Sequence, residues 1–199
     1  MTNNKTIEYY NNNSEEFLKG TVNADMKYWQ DRFLSYLKPG DKILDAGCGS
    51  GRDSKYFLDK NMEVVSFDAS IKMCEYASKN IGSEVKCMKF EDIDYVNEFN
   101  GIWACASLIH VRKKDMKSII VKLRDALKDK GILYASFKLG NKEEERNGRF
   151  FNDYTLEELK ELVECMDEFE ILELVETGDV RENHRNEYWV NIVFKLVEN

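Results

Sequence analysis

Along this chain, continuous apolar runs alternate with segments whose apolar positions recur every three or four residues. Those two spacings distinguish buried strands from amphipathic helices. Up to about residue 38 the spacing is helical, and "MKYWQDRFLSYL" places Trp29, Phe33, Leu34 and Leu37 on one face. "PGD" at 39–41 is a stop-and-turn signal. "KILDA" then reads as a buried strand, and "GRDSKYFLDKN" as a helix turning Tyr56, Phe57 and Leu58 toward a core. The pattern repeats with a strand "EVVSFD", a helix "SIKMCEYASKNIG", a strand "EVKCMKF" and a strand "GIWACASL". In the helix over 111–130, Met116, Ile119, Ile120, Leu123 and Leu127 recur at helical spacing, and "GILYASFK" is a fifth strand. A polar loop, "LGNKEEERNGRFFNDY", precedes the helix "TLEELKELVECM", where Thr155 and Glu158 form a capping box. "EILELVET" and "EYWVNIVFKLVE" close the chain as two strands with no helix between them.

Alternating strands and helices imply right-handed crossovers and an α/β fold whose mostly parallel sheet is covered on both faces. The closing hairpin adds an antiparallel strand at one edge. The expected organisation is a single domain over 1–199, with 1–38 as a helical N-terminal cap and 39–199 as the core.

Composition narrows the class. Apolar residues make up 43% of the chain, enough for a real core. No apolar run reaches membrane-spanning length, and the N-terminus lacks a signal-peptide core, so a cytoplasmic protein is expected. The five cysteines are widely spaced, odd in number and never in a C-x-x-C pair. That pattern predicts free, mostly buried thiols and no metal. The net charge of −8 argues against a nucleic-acid partner, whose phosphates call for a basic surface. The basic stretch over 111–130 reads as the solvated face of its helix.

"KILDAGCGSGRDSKYFL" carries the candidate chemistry. Three alternating glycines, Gly47, Gly49 and Gly51, follow a strand, where ligands bind in open α/β sheets. The spacing is not that of the dinucleotide fingerprint, whose third glycine would fall at Arg52, and no G-K-[ST] follows as in a P-loop. Asp45 would repel a pyrophosphate but suits a cationic amino group, directly or through water. The loop therefore fits a cofactor bearing an ammonium and no phosphate. Asp68 ends the second strand 23 residues beyond Asp45, near the separation expected for an acid that accepts from a ribose diol. After the third strand, Glu91 or Asp92 could accept from an adenine amino group and Phe90 could pack on the ring. The sequence leaves open which acid faces inward.

These features resemble the class I S-adenosylmethionine-dependent methyltransferases, over nearly the whole chain. "ILDAGCGSGRD" matches the family's first motif, "VVSFDAS" its second-strand acid, "FNGIWACASLIHV" its fourth strand and "LKDKGILYASFK" its fifth. Here Asn100 replaces the usual aspartate after Phe99, and Asp129-Lys130-Gly131 replaces the proline-glycine turn. "DAGCGSGRDS" with "ACASLIHV" is similar to small stand-alone tellurite-resistance-like members. The resemblance implies a Rossmann-like seven-stranded sheet of order 3-2-1-4-5-7-6, strand 7 antiparallel. It implies S-adenosyl-L-methionine as cofactor, bound among Tyr10, Asp45, Ala46, Gly47, Cys48, Gly49, Gly51, Arg52, Asp68, Ala69, Ser70, Phe90, Glu91, Asp92 and Ala106.

Methyl transfer from a sulfonium is an in-line displacement, so positioning and water exclusion are the protein's main tasks. A base is needed only where the acceptor sheds a proton, and His110, just past the fourth strand, is the candidate. His184 sits in a polar loop and reads as solvated. Two segments could cover the acceptor, contributing Lys138, Arg149, Phe150 and Tyr154 from one and Arg181, Arg185 and Trp189 from the other. Arginines beside aromatics bind anions and pack flat apolar bodies, so Lys138, Arg149, Arg181, Arg185 and Trp189 are candidate contacts to a small anionic acceptor. Tyr9 or Tyr10 and Phe17 could close over the cofactor. The expected partner is a small molecule, with no membrane or nucleic acid, for a monomer or homodimer. A peptide or RNA methyltransferase and a non-catalytic cofactor-binding module are the competing readings.

Overall fold

In the computed structural model, which describes residues 4–181 and 184–197, three short helices lead the chain. These are α1 (Asn4–Asn12), α2 (Ser14–Thr21) and α3 (Lys27–Leu34). The alternating part then runs β1 (Lys42–Ala46), α4 (Arg52–Asp59), β2 (Glu63–Asp68), α5 (Ile71–Ile81), β3 (Lys86–Cys87), β4 (Phe99–Ala104), α6 (Lys113–Ala126) and β5 (Leu127–Lys138). Next come β6 (Glu143–Arg146), β7 (Arg149–Asn152), α7 (Leu156–Glu164), β8 (Phe169–Gly178) and β9 (Tyr188–Leu196).

Seven strands form one sheet in the order β3-β2-β1-β4-β5-β9-β8. Strands β3 to β5 pair in parallel, whereas β9 runs antiparallel to both β5 and β8. With β6 and β7 set aside in their own two-stranded sheet, this is the expected order 3-2-1-4-5-7-6 with its penultimate strand reversed.

The period-two alternation of the strands feeds two cores. Leu44, Ile102, Leu133 and Ile192 pack with Met116, Ile119 and Leu123 of α6 and Leu159 of α7. Their neighbours Ile43, Trp103, Tyr134 and Val193 pack with Trp29 and Phe33 of α3 and Phe57 of α4. Adjacent strand residues point to opposite faces, so both faces of the sheet are sealed by helices. Trp103 stacks on Tyr134 with ring centroids 3.9 Å apart, at the centre of the second core. Thr155 caps α7 in the expected capping box with Glu158.

The structure departs from the sequence reading in three places. Strand β3 is only two residues long, because Phe90–Asp92 turns into a 3-10 helix. Helix α6 ends at Ala126, and the chain is already extended from Leu127, well before Gly131. The expected polar loop after β5 is an antiparallel hairpin, β6–β7, turned by Asn147 and Gly148 at φ +50° and +78°. Two successive positive φ angles are the requirement of a type I′ turn, which Asn-Gly meets with little strain.

Among the described residues, no helix is long and apolar enough to cross a membrane. All five cysteines are free thiols; Cys48 and Cys74 are buried, Cys105 is half-buried, and Cys87 and Cys165 are exposed.

Candidate functional site

Gly47, Gly49 and Gly51 all take positive φ, so the backbone reverses sharply between β1 and α4. The reversal is pinned by Gly47 and Cys48 N–H groups, both donating to the Phe67 carbonyl at 2.9 Å. Gly47 also lies against the loop after β4. A Cβ there would stand 2.5 Å from the Ser107 Cβ, and the Ser107 hydroxyl donates to the Ala46 carbonyl at 2.6 Å. Gly47→Ala is therefore expected to cost about 2 kcal/mol through backbone strain, with more from the clash. Denaturant unfolding checks this, and an unchanged midpoint would disprove the close approach.

This turn opens on a cavity of about 620 Å³, within the range of small-ligand sites. It runs over the carboxyl ends of the central strands, beneath α1, the β6–β7 hairpin and the β8–β9 connection. Its lining includes Cys48, Gly49, Asp68, Met73, Met88 and Phe90. Asp68 accepts from the backbone N–H of Gly49 (3.0 Å) and of Ser70 (2.8 Å). Burial pushes its carboxyl above the usual range, and the N–H groups of Ser70, Gly49 and Ala69 pull the other way. A Cβ built on Gly49 would meet nothing within 4 Å, so the turn leaves open space beside the acid. A carboxylate, open space over a glycine backbone and an aromatic ring fit a nucleoside with a free diol.

Arg52 also lines the cavity. Its Nε and Nη2 both donate to the Asp53 carboxylate at 2.8 Å, and its Nη1 donates to the Thr21 carbonyl at 3.1 Å. Asp53 also accepts from Gln30 Nε2 (2.7 Å) and Trp103 Nε1 (3.0 Å). Burial alone would raise the Asp53 carboxyl, but the Arg52 guanidinium and these donors hold it below the usual range. The fixed guanidinium is suited to an anionic group such as an amino-acid carboxylate. The sequence reading gave Asp53 no role, and the acid directly after Arg52 was the available signal.

Of the expected cofactor contacts, the cavity gathers Tyr10, Gly47, Cys48, Gly49, Arg52, Asp68, Ala69, Ser70, Phe90 and Ala106. The others lie elsewhere. Asp45 shares a strand face with Ile43, which turns it toward α4; it is buried and accepts from Ser54 Oγ at 2.5 Å. Burial, then the neighbouring Asp53 carboxylate, push Asp45 well above the ordinary range. Asp45 is therefore not among the residues that line the cavity. Ala46 is fully buried behind the turn, and Gly51 packs against Ala77 and Ile81 of α5. Asp92 is exposed and accepts from the Lys89 N–H at 3.0 Å, closing its own 3-10 turn; Glu91 lines no part of the cavity. Neither acid is among the residues that line the cavity.

The cavity is also walled by Lys138, Arg146, Arg149, Phe151, Arg181 and Trp189. Arg185 is exposed and is not part of the wall. Most of these cations are already paired. Lys138 meets Glu187 and lies over the Trp189 ring, Arg146 meets Asp153, and Arg181 Nε donates to Asp179 at 2.9 Å. Asp179, despite burial, is held down to about 2 by Arg181 and by the Trp189 N–H. Ligand atoms of Asp179, His184 and Glu187 come within 4.8 Å of one another, but Arg181 and Lys138 already neutralise the two acids. His184 Nδ1 lies 2.6 Å from Glu187 Oε1 in this network, and is not simply solvated.

His110 is buried beneath α1. Its Nδ1 lies 2.6 Å from the Phe150 carbonyl oxygen, which can only accept, so Nδ1 carries the proton. Its Nε2 lone pair then accepts from the Tyr10 hydroxyl at 2.9 Å. Burial, with Arg149 and Arg146 nearby, takes His110 down to about 4, so the ring is neutral at pH 7.

A family model described as "Methyltransferase domain" matches residues 43–131. Among curated proteins, the chain is 32% identical over 85 residues to phosphoethanolamine N-methyltransferase 1 of Arabidopsis thaliana. That match covers 39% of this chain and only 17% of the relative's length. Among solved structures, the chain is similar to 1,6-didemethyltoxoflavin-N1-methyltransferase of Burkholderia thailandensis, crystallised with 1,6-didemethyltoxoflavin and S-adenosylhomocysteine. The TM-score is 0.79 at 16% identity, covering 96% of this chain and 85% of that one. It is also similar to magnesium protoporphyrin IX methyltransferase of Synechocystis PCC 6803 with bound S-adenosylmethionine, at TM-score 0.73 and 17% identity over 98% of both chains.

Proposed function

We propose that the chain, which matches a methyltransferase-domain model over residues 43–131, is a class I S-adenosylmethionine-dependent methyltransferase that transfers a methyl group from S-adenosyl-L-methionine to a small anionic acceptor. The observation that carries the cofactor assignment is Asp68. It ends β2, lines the cavity and is oriented by two backbone N–H groups beside an open glycine turn. In this reading Asp68 accepts from the ribose diol, Phe90 packs on the adenine and Arg52 takes the amino-acid carboxylate. The bound cofactor supplies an electrophilic methyl on a sulfonium. The protein's share is to position the acceptor and exclude water beneath α1 and the β6–β7 hairpin.

The anionic acceptor is supported by Arg149, which lines the cavity with no carboxylate partner among the described residues, and by the aromatic rings beside it. The phosphoethanolamine acceptor in the curated relative's name is of the same charge class. The finer likeness to tellurite-resistance-like members rests on the motifs alone.

Calorimetry with S-adenosylmethionine and with NAD tests the cofactor, and binding of NAD alone would overturn it. Incubation with labelled cofactor and fractionated extract then tests the transfer. Label in a small metabolite supports the proposal. Label in a peptide or RNA would replace the acceptor class, and cofactor binding with no labelled product from any fraction would favour a binding module.

A further inference from the structure

Arg149 is distinguished from the other cations of the cavity by its partners. Its guanidinium lies over Tyr9 (4.7 Å), Phe151 (5.0 Å) and Tyr10 (5.8 Å), and no carboxylate within ion-pair distance of it is found among the described residues. Its Nε is buried without a hydrogen-bond partner. Arg52, Arg146, Arg181 and Lys138 each have an acid. An uncompensated guanidinium among rings, with an unused donor, is a seat for an anion on a flat body.

The same arginine faces the Tyr10–His110 pair. His110 is enclosed by Tyr10 from α1, by Arg146 from β6, and by Arg149 and Phe151 from β7. Tyr10 feels Arg149 and, more weakly, Asp68 at the end of β2. Tyr10 and His110 both line the cavity, and the tyrosine hydroxyl donates to the imidazole's one acceptor lone pair.

Resting on the methyltransferase reading above, we propose that Arg149 binds an anionic group of the acceptor and that Tyr10 takes the acceptor's proton, handing its own to His110. The substrate class is thus an anion, such as a carboxylate, on a body that also bears an N–H or O–H nucleophile. As that nitrogen or oxygen gains the methyl, the sulfur–carbon pair stays on sulfur and the N–H or O–H bond breaks. The proton goes to the Tyr10 oxygen, and the Tyr10 proton goes to His110 Nε2. The imidazolium so formed still donates Nδ1–H to Phe150 and carries the positive charge that sulfur gave up. The bound anion makes this transfer easier, because it cancels the Arg149 charge that disfavours a protonated imidazole. Arg149 then both selects the acceptor and brings its proton acceptor into play.

Imidazole NMR reads this directly, since the chain has only two histidines. Titrations are run on the S-adenosylhomocysteine-saturated protein with benzoate as the probe anion. The His110 midpoint is expected to rise by about one pH unit with benzoate. Arg149→Gln is expected to give a similar rise without benzoate and to abolish the benzoate effect. Arg149→Lys, which keeps the charge, is expected to leave the midpoint near its starting value. An imidazole unmoved by benzoate and by Arg149→Gln would overturn the proposal, and equal shifts in the Gln and Lys variants would reduce it to packing. Failure of S-adenosylmethionine to bind the wild-type protein in calorimetry would instead overturn the methyltransferase reading.

Discussion

Asp53→Ala is expected to lower the unfolding midpoint by roughly 10 °C, the largest stability loss of any single change at this site. The cause is not the missing contact area. Removing the acid strands three donors at once: the Arg52 guanidinium, Gln30 Nε2 and Trp103 Nε1. Breaking a buried ion pair from one side costs about 3–5 kcal/mol, since the remaining charge keeps its desolvation penalty. The site also loses the anchor of Arg52, so affinity for the cofactor falls with stability. Asp53→Asn retains volume and one acceptor oxygen and is expected to lose less. Calorimetric unfolding of both variants checks the order, and an unshifted midpoint for Asp53→Ala would mean that Arg52 readily finds water or another partner.

Asp68→Ala is expected to weaken S-adenosylmethionine binding at least tenfold, about 1.4 kcal/mol or more, in a protein that stays folded. A carboxylate accepting from two hydroxyls makes charge-assisted bonds that no neighbouring group replaces. The same assignment fixes the sign of a pH effect. Burial raises the Asp68 carboxyl in the free protein, and the diol donates more strongly to its ionised form. Binding therefore expels a proton where the pH is near or below that raised value, so affinity is greatest above it and declines as the pH falls through it. Titration calorimetry in buffers of different ionisation heat measures that proton release. Undiminished affinity in Asp68→Ala would remove the ribose contact from Asp68.

How far the sequence revealed this arrangement depended on how local each cause was. Strands β1 and β2 were legible from apolar runs ending in an acid, and both acids stand where those runs stop. The environment of Asp45 was less accessible, because its face is set by pairing across the sheet and by Ser54 in the next helix. Asp53 was opaque for a similar reason. Two of its partners, Gln30 and Trp103, lie 23 and 50 residues away and meet it only in the folded chain. The β6–β7 hairpin escaped an apolar reading because β6 is wholly charged, "EEER", although Asn147-Gly148 announced the turn. The pairing of Lys138 and Arg181 with acids, and the lack of such pairing at Arg149, is likewise a property of contacts between distant loops.

The three tryptophans divide the molecule in a useful way. Trp29 and Trp189 stand on the cavity wall, whereas Trp103 is sealed beneath it against Tyr134. An occupant changes the surroundings of two indoles and spares the third, so the protein's own ultraviolet emission becomes an unlabelled gauge of filling. Trp189→Phe silences the gauge near Lys138, and Trp29→Phe the one on α3, which lets the two walls be watched separately.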